Sequence, residues 1–305
     1  MPRSAVGASL AEYPSPSSPP ELKMNLPLIQ PTSFDQRIVS YEEIHAIDPG
    51  DFLAFVTAAE IKGPCSVLDC GCGYGAVTRE ILLSTKLSRQ LGGTQLAVDL
   101  IDESEVQLER AKRELQVWQH APGVTLRFRI GAFPEDLSVP PRNYDVVACK
   151  MVLHEICRDR QLPFLQETYR VLRSGGRLVF WDVCLSDDMA PLYRAIVRKK
   201  DELAQYDTLV ERRHFLTAGE LRTLFNDSPF RGFHVTKNIV YRFNTRARLM
   251  PEFDGDETRL DQWHSFIRRA VTKANSGVLS RIRYRDDKKT ISFDVRKIIG
   301  VSKRP

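Results

Sequence analysis

Ten residues, Ser66-Val67-Leu68-Asp69-Cys70-Gly71-Cys72-Gly73-Tyr74-Gly75, constrain this chain more than any other stretch. Val67 and Leu68 are apolar, three glycines stand at alternate positions, and an apolar-periodic run begins at Ala76. The segment therefore reads as strand, tight turn and helix. Glycine lets the backbone take positive φ and come close to a bound molecule, while the start of the following helix offers unpaired N–H groups and the positive end of its dipole. Such a turn is a ligand-binding turn.

Two kinds of nucleotide cofactor compete for it. Gly71-x-Gly73-x-x-Ala76 fits the dinucleotide fingerprint, and Asp99, at the end of the next strand, suits a ribose in either case. Asp69 before the first glycine and the additional Gly75 favour the other guest. A pyrophosphate gains nothing from a carboxylate there, whereas a cofactor with a free amino group and a sulfonium does.

Val67-Leu68-Asp69-x-Gly71-x-Gly73-x-Gly75 resembles the first motif of the class I S-adenosylmethionine-dependent methyltransferases. Leu96 to Asp99 is similar to the second strand of that family, Asn143 to Ala148 to its fourth, and Met151 to Ile156 to the segment that follows. Tyr169 to Val179 resembles its helix, Gly-Gly turn and fifth strand, so the likeness covers about residues 64–184. It implies an α/β fold with a doubly wound, seven-stranded, mostly parallel Rossmann-like sheet carrying lid insertions. It implies S-adenosyl-L-methionine as cofactor, held by Asp69, Gly71, Cys72, Gly73 and Gly75 of the turn, by Asp99 and Leu100, by Ala132 and Phe133, and by Lys150. Where Ala132 stands the family commonly has an acid that reads the adenine amino group. Here the Ala132 and Phe133 backbone and the Phe133 ring would take its place, with Glu135 or Asp136 as substitutes.

Methyl transfer from a sulfonium is an in-line displacement that needs no metal, and alignment alone can supply roughly 7–11 kcal/mol. A base is needed only if the nucleophile must lose a proton. His154, just past the fourth strand, is the first candidate, although a histidine there is frequent in the superfamily whatever the substrate. His214 and Tyr41 are further catalytic candidates on lid segments, while Glu155 and Met151 share the His154 neighbourhood. His120, His234 and His264 read as surface or packing residues, Trp181 as core, and Trp263 as packing an inserted helix.

Residues 1–33 carry Pro14, Pro16, Pro19, Pro20, Pro27 and Pro31 among many serines and read as a flexible leader. The methyltransferase-like domain then spans 34–305, with substrate-covering segments at 34–47, 185–216 and 244–289. Asp48-Pro49 opens a helix to about Ile61. Ala76 to about Thr85 forms the first crossover helix, Asp102 caps the next, and Val124 to Ile130 alternates as a third strand. A helix over 159–173 ends at Ser174-Gly175-Gly176, and strand five follows from Arg177 to Cys184 with Asp182 near the cleft. Asp187 to Leu209 reads as helical, Thr217 caps a helix to Phe225, and Gly232–Phe243 with Thr290–Val301 form an antiparallel pair. A helix over Leu260–Val271 lies in the segment between them.

No apolar run approaches the roughly 18 residues that cross a bilayer. The six cysteines lie mostly in or beside apolar strands without zinc-knuckle spacing, so no metal site is expected and they read as reduced thiols of a cytoplasmic protein. The net charge of +5 is local: residues 281–305 hold nine Lys/Arg against three Asp, leaving the rest near −1. This argues against a nucleic-acid surface across the protein, while a basic tail contact stays open. The expected partner is a small, apolar or aromatic metabolite, with a homodimer allowed. The alternatives are an RNA or protein methyltransferase and a cofactor-binding protein that does not methylate.

Overall fold

The computed structural model describes residues 48–61, 64–90, 95–135 and 139–305, the side chains of 86–90 left aside. All of them fall within one compact unit, Pro31–Pro305. The Pro/Ser-rich stretch, the 34–47 segment with Tyr41, and Asp136 lie outside the described residues.

Five strands run parallel: β1 (Cys65–Cys70), β2 (Leu96–Asp102), β3 (Val124–Ile130), β4 (Tyr144–Lys150) and β5 (Leu172–Val183). The last strand, β8 (Ile291–Lys303), pairs antiparallel with β5 and with β6 (His234–Asn244). The main order is β3-β2-β1-β4-β5-β8-β6, and an eighth strand of two residues, β7 (Arg285–Asp286), joins the start of β8. Strand order reverses between β1 and β4, so a crevice opens at the carboxyl ends of these neighbours.

Successive residues of β1 point to opposite faces. Val67, with Val98, Val146 and Val179, packs under Phe55 of α1 (Pro49–Ala59) and Ile81 of α2 (Ala76–Gln90). Leu68, Val147 and Phe180 pack on the other face against Phe164 of α4 (Arg158–Val171) and Phe225 of α7 (Ala218–Asp227). Each such aliphatic side chain stabilises the sheet by about 1.5–3 kcal/mol. Trp181 is core as expected, with Phe52 edge-on to it at 5.4 Å between centroids. A further cluster joins α5 (Ala190–Leu203) and α9 (Glu257–Val271) to the start of β8, and Trp263 Nε1 donates to the Ile196 carbonyl at 2.9 Å.

Several boundaries differ from those read in the sequence. The cap of α3 (Glu105–Glu114) is Ser104, whose hydroxyl accepts from Gln107 N; Asp102 instead ends β2 and faces the crevice. The run from 187 to 209 is two helices, α5 and α6 (Asp207–Arg212), because Gln205 takes a left-handed φ of 60° between them. Strand β5 starts at Leu172, before the glycine pair rather than after it. The basic C-terminal stretch is no tail: it forms β7 and β8, with Arg281 paired to Asp188, Arg283 to Asp294, and Arg304 donating to the carbonyls of Tyr169, Arg170 and Leu172.

Candidate active site

At the carboxyl ends of β1, β2 and β4 the chain encloses a cavity of about 920 Å³. One end is the glycine-rich turn. Gly71 has φ +62°, and a Cβ there would stand 2.4 Å from Val152 Cγ2, so only glycine fits beneath the segment after β4. Gly73 has φ +52°, and a Cβ on it would meet nothing, because it borders the cavity. The turn is fastened to β2: Cys72 N donates to the Ile101 carbonyl at 3.1 Å, and Gly73 N to Asp102 Oδ2 at 2.8 Å. The other Asp102 oxygen accepts from Ser104 N at 2.9 Å, which fixes the carboxylate at the cavity wall.

Of the residues expected around the cofactor, the cavity brings together Gly71, Cys72, Gly73, Ala132, Phe133 and Lys150. The Lys150 ammonium lies over the rings of Phe52 and Trp181, 5.0 and 5.4 Å from their centroids. Phe133 is set edge-on to Phe164 at 5.2 Å.

Four expected residues do not line the wall. Asp69 is buried behind the turn, where it accepts from Thr78 Oγ1 at 2.7 Å; burial, opposed by that bond, pushes its carboxyl up to about 6. Gly75 faces α3, since a Cβ on it would stand 2.9 Å from Leu115 Cδ1. Asp99 is buried three residues before Asp102, which borders the cavity. It accepts from the Tyr144 hydroxyl at 2.7 Å and pairs with Arg127 at 3.1 Å and Arg129 at 3.5 Å. Leu100 is in the core, and the wall is formed instead by Ile101, Asp102 and Glu103. β1 pairs with β2 from Cys65↔Leu96 to Cys70↔Ile101, so the tip of β2 lies beyond Asp99.

His154 borders the cavity with carboxylates on both sides of its ring. Its Nδ1 lies 2.6 Å from Asp182 Oδ1, its Nε2 3.3 Å from Glu155 Oε1, and its ring stacks on Phe215 at 4.7 Å. Burial alone would lower its pKa; Asp182 and Glu155 outweigh it and raise the imidazole to about 9. Both ring nitrogens thus face carboxylates. His214 does not line the cavity. Its Nε2 faces Glu220 at 3.6 Å, and burial with the nearby Arg194 pushes its pKa down. His264 is buried against Thr245 at 2.7 Å, while His120 and His234 are exposed.

From His154 a line of alternating charges runs along the far half of the cavity. Glu155 binds Arg213 at 2.6 Å, Arg213 binds Asp201 at 2.7 Å, and Asp201 meets Lys200 at 2.5 Å. Lys200 reaches Glu252 at 2.7 Å, and Glu252 meets Arg248 at 2.6 Å. Burial works against the Glu155 carboxyl, but Arg213 and His154 hold it well below the usual range. Arg213 comes from the loop after α6, and Arg248 from α8 (Thr245–Leu249), so both covering segments contribute. Lys297 adds an ammonium to the same wall from β8, over the Tyr241 ring at 4.4 Å. On the apolar face of that strand, Ile291, Phe293, Val295, Ile299 and Val301 alternate and Lys297 interrupts them, a signal present in the sequence.

A family described as "Methyltransferase domain" matches residues 67–176. Mouse arsenite methyltransferase is 36% identical over 137 residues, 43% of this chain and 34% of that protein. Mouse N-terminal Xaa-Pro-Lys N-methyltransferase 1 is 29% identical over 194 residues, 62% of this chain and 78% of that protein. Among solved structures, a putative methyltransferase from Bacillus halodurans superposes with a TM-score of 0.67 at 16% identity, covering 84% of this chain and 99% of its own. The cyclopropane synthase MmaA2 of Mycobacterium tuberculosis gives 0.55 at 10% identity, covering 89% and 93%. At these identities the structural likeness speaks for the fold. The chain thus spans about a third of the arsenite enzyme's length.

Proposed function

We propose, on the premise that this chain belongs to the class I S-adenosylmethionine-dependent methyltransferase superfamily, that it methylates an oxygen, nitrogen or activated carbon of a small metabolite. The observation that carries this reading is one continuous cavity, which runs from the Gly71–Gly73 turn to walls supplied by 185–216 and 244–289. Its volume of about 920 Å³ lies within the roughly 300–1,000 Å³ of small-molecule sites.

The residues present suit the cofactor. Gly73 leaves open space where a side chain would project, and Asp102, at the strand tip next to it, would accept from ribose hydroxyls. Ala132 and Phe133 border the position of an adenine, and a bound S-adenosylmethionine would supply the activated methyl group. The chain's own part is to align: the far walls hold the acceptor, and the buried charges keep α5, α6 and α8 fixed around it. Asp182 and Glu155 favour the protonated form of His154, which disfavours this imidazole as the group that takes a proton from the acceptor.

Calorimetry with S-adenosylhomocysteine tests the reading. One molecule should bind per chain, and Gly73→Val, whose side chain enters the cavity, should abolish binding. Binding of NADH with no binding of either sulfur cofactor refutes it. A second reading, transfer to the amino terminus of a protein, is favoured by the N-terminal Xaa-Pro-Lys N-methyltransferase relatives. Labelled methyl incorporation into Xaa-Pro-Lys peptides, and not into small metabolites, would select it.

A further inference from the structure

Arg212 ends α6, Arg213 follows it, and both border the cavity. Each closes a fork on a glutamate of the cofactor half. Arg212 Nη1 and Nη2 donate to Glu103 Oε2 and Oε1 at 3.0 and 3.1 Å, and Arg213 Nε and Nη2 donate to Glu155 Oε2 and Oε1 at 2.6 Å each. Glu103 directly follows Asp102 at the tip of β2, while Glu155 lies in the segment after β4. β1 runs between these two strands, which are therefore two strand spacings apart, about 10 Å. Neighbouring arginines of one covering segment thus reach down on either side of the glycine-rich turn.

The two forks serve the fold differently. The Arg213 and Glu155 side chains are 8% and 11% exposed, and Arg213 also grips both oxygens of Asp201, at 2.7 and 2.8 Å, so this fork is a buried brace. Arg212 and Glu103 keep 32% and 22% of their exposure. An ion pair at such a rim adds little to stability, yet a bidentate guanidinium still fixes orientation. The neighbouring chain is also held by bonds that do not involve Arg212. His214 N donates to the His154 carbonyl at 2.9 Å, the buried Gln161 amide donates to the Leu153 and His214 carbonyls at 3.0 and 3.1 Å, and Leu209 of α6 is fully buried.

We infer that Arg212 is a positioning residue for the cofactor: through Glu103 it holds α6 closed over the glycine-rich turn, and a molecule bound there leaves when this fork opens. This rests on the methyltransferase reading of the same cavity. Arg213 keeps the covering segment in place, and Arg212 sets how long it stays shut.

The test follows release of labelled S-adenosylhomocysteine from the full chain during a chase with unlabelled compound, in wild type, Arg212→Gln, Glu103→Gln and the double variant. Each single change should speed release by about 5-fold, the worth of one rim ion pair with bidentate geometry. The double variant should be no faster than either single one, because all three lose the same fork. Arg212→Lys keeps the charge without the fork and should restore only part of the slow release. Melting of the unliganded proteins should stay within about 2 °C of wild type; an arginine with a merely structural role would lower the melting temperature and leave the release rate alone. If no variant changes release, or if the two single effects multiply in the double variant, the positioning role is refuted while the cofactor reading stands. If wild type does not bind S-adenosylhomocysteine, the methyltransferase reading fails first and this inference with it.

Discussion

Replacing His154 by Gln removes the charge at the head of the buried line and turns a geometric statement into a stability curve. The imidazole is raised from an ordinary value of 6.5 to about 9, because Asp182 and Glu155 outweigh its burial. At 1.36 kcal/mol per unit, the interaction favours the folded protein by about 3 kcal/mol. The folded pKa lies above the unfolded one, so this stabilisation is fully present below about 6.5 and is lost as pH rises through about 9. Urea unfolding of wild type and His154→Gln at intervals from pH 6 to 9.5 gives the difference directly. The gap between the two proteins should shrink by about 3 kcal/mol across that window. Lys297, brought down to about 7, titrates in part of the same range, but it is present in both proteins and largely cancels. A gap that is constant with pH, or that widens as pH rises, would show that His154 is neutral in the folded state and would restore it as a candidate base.

Three further outcomes follow from the packing and the charge line. Gly71→Ala places a methyl 2.4 Å from Val152 Cγ2 at a left-handed φ, so it should cost about 1–3 kcal/mol and weaken S-adenosylhomocysteine binding; Val152→Ala in the same chain should recover part of both, by thermal melting and calorimetry. Asp201→Asn leaves Arg213 and Lys200 short of a buried counter-charge and should lose about 3–5 kcal/mol in urea unfolding. Trp181→Ala empties the space between Phe52, Phe55 and the sheet, with an expected loss of about 3–5 kcal/mol.

The doubly wound sheet was legible because each strand carries its own local signal. Val67-Leu68 before alternating glycines, the apolar run from Tyr144 and the alternation of Val124 to Ile130 need no distant partner to be recognised, and all three are strands. Asp99 lies back from the cavity and Asp102 borders it; both follow apolar residues, and only the pairing of β2 with β1 decides which one reaches the strand tip. Asp69, expected at the cofactor, turns inward, and Thr78 in the first turn of the following helix donates to it across the glycine-rich turn. The charge line was invisible because Glu155, Asp201, Arg213, Arg248 and Glu252 come from separate segments, and ions scattered along a sequence look like ordinary surface residues.

The central claim is that the turn after β1 and the tip of β2 together hold the cofactor. Isothermal titration of S-adenosylhomocysteine into Asp102→Ala and Asp99→Asn tests it most directly. The account predicts that Asp102→Ala loses at least about 10-fold in affinity, the worth of one charged hydrogen bond, while Asp99→Asn, away from the cavity, stays within about 2-fold of wild type. Undiminished binding by Asp102→Ala, with binding lost in Asp99→Asn, would contradict it.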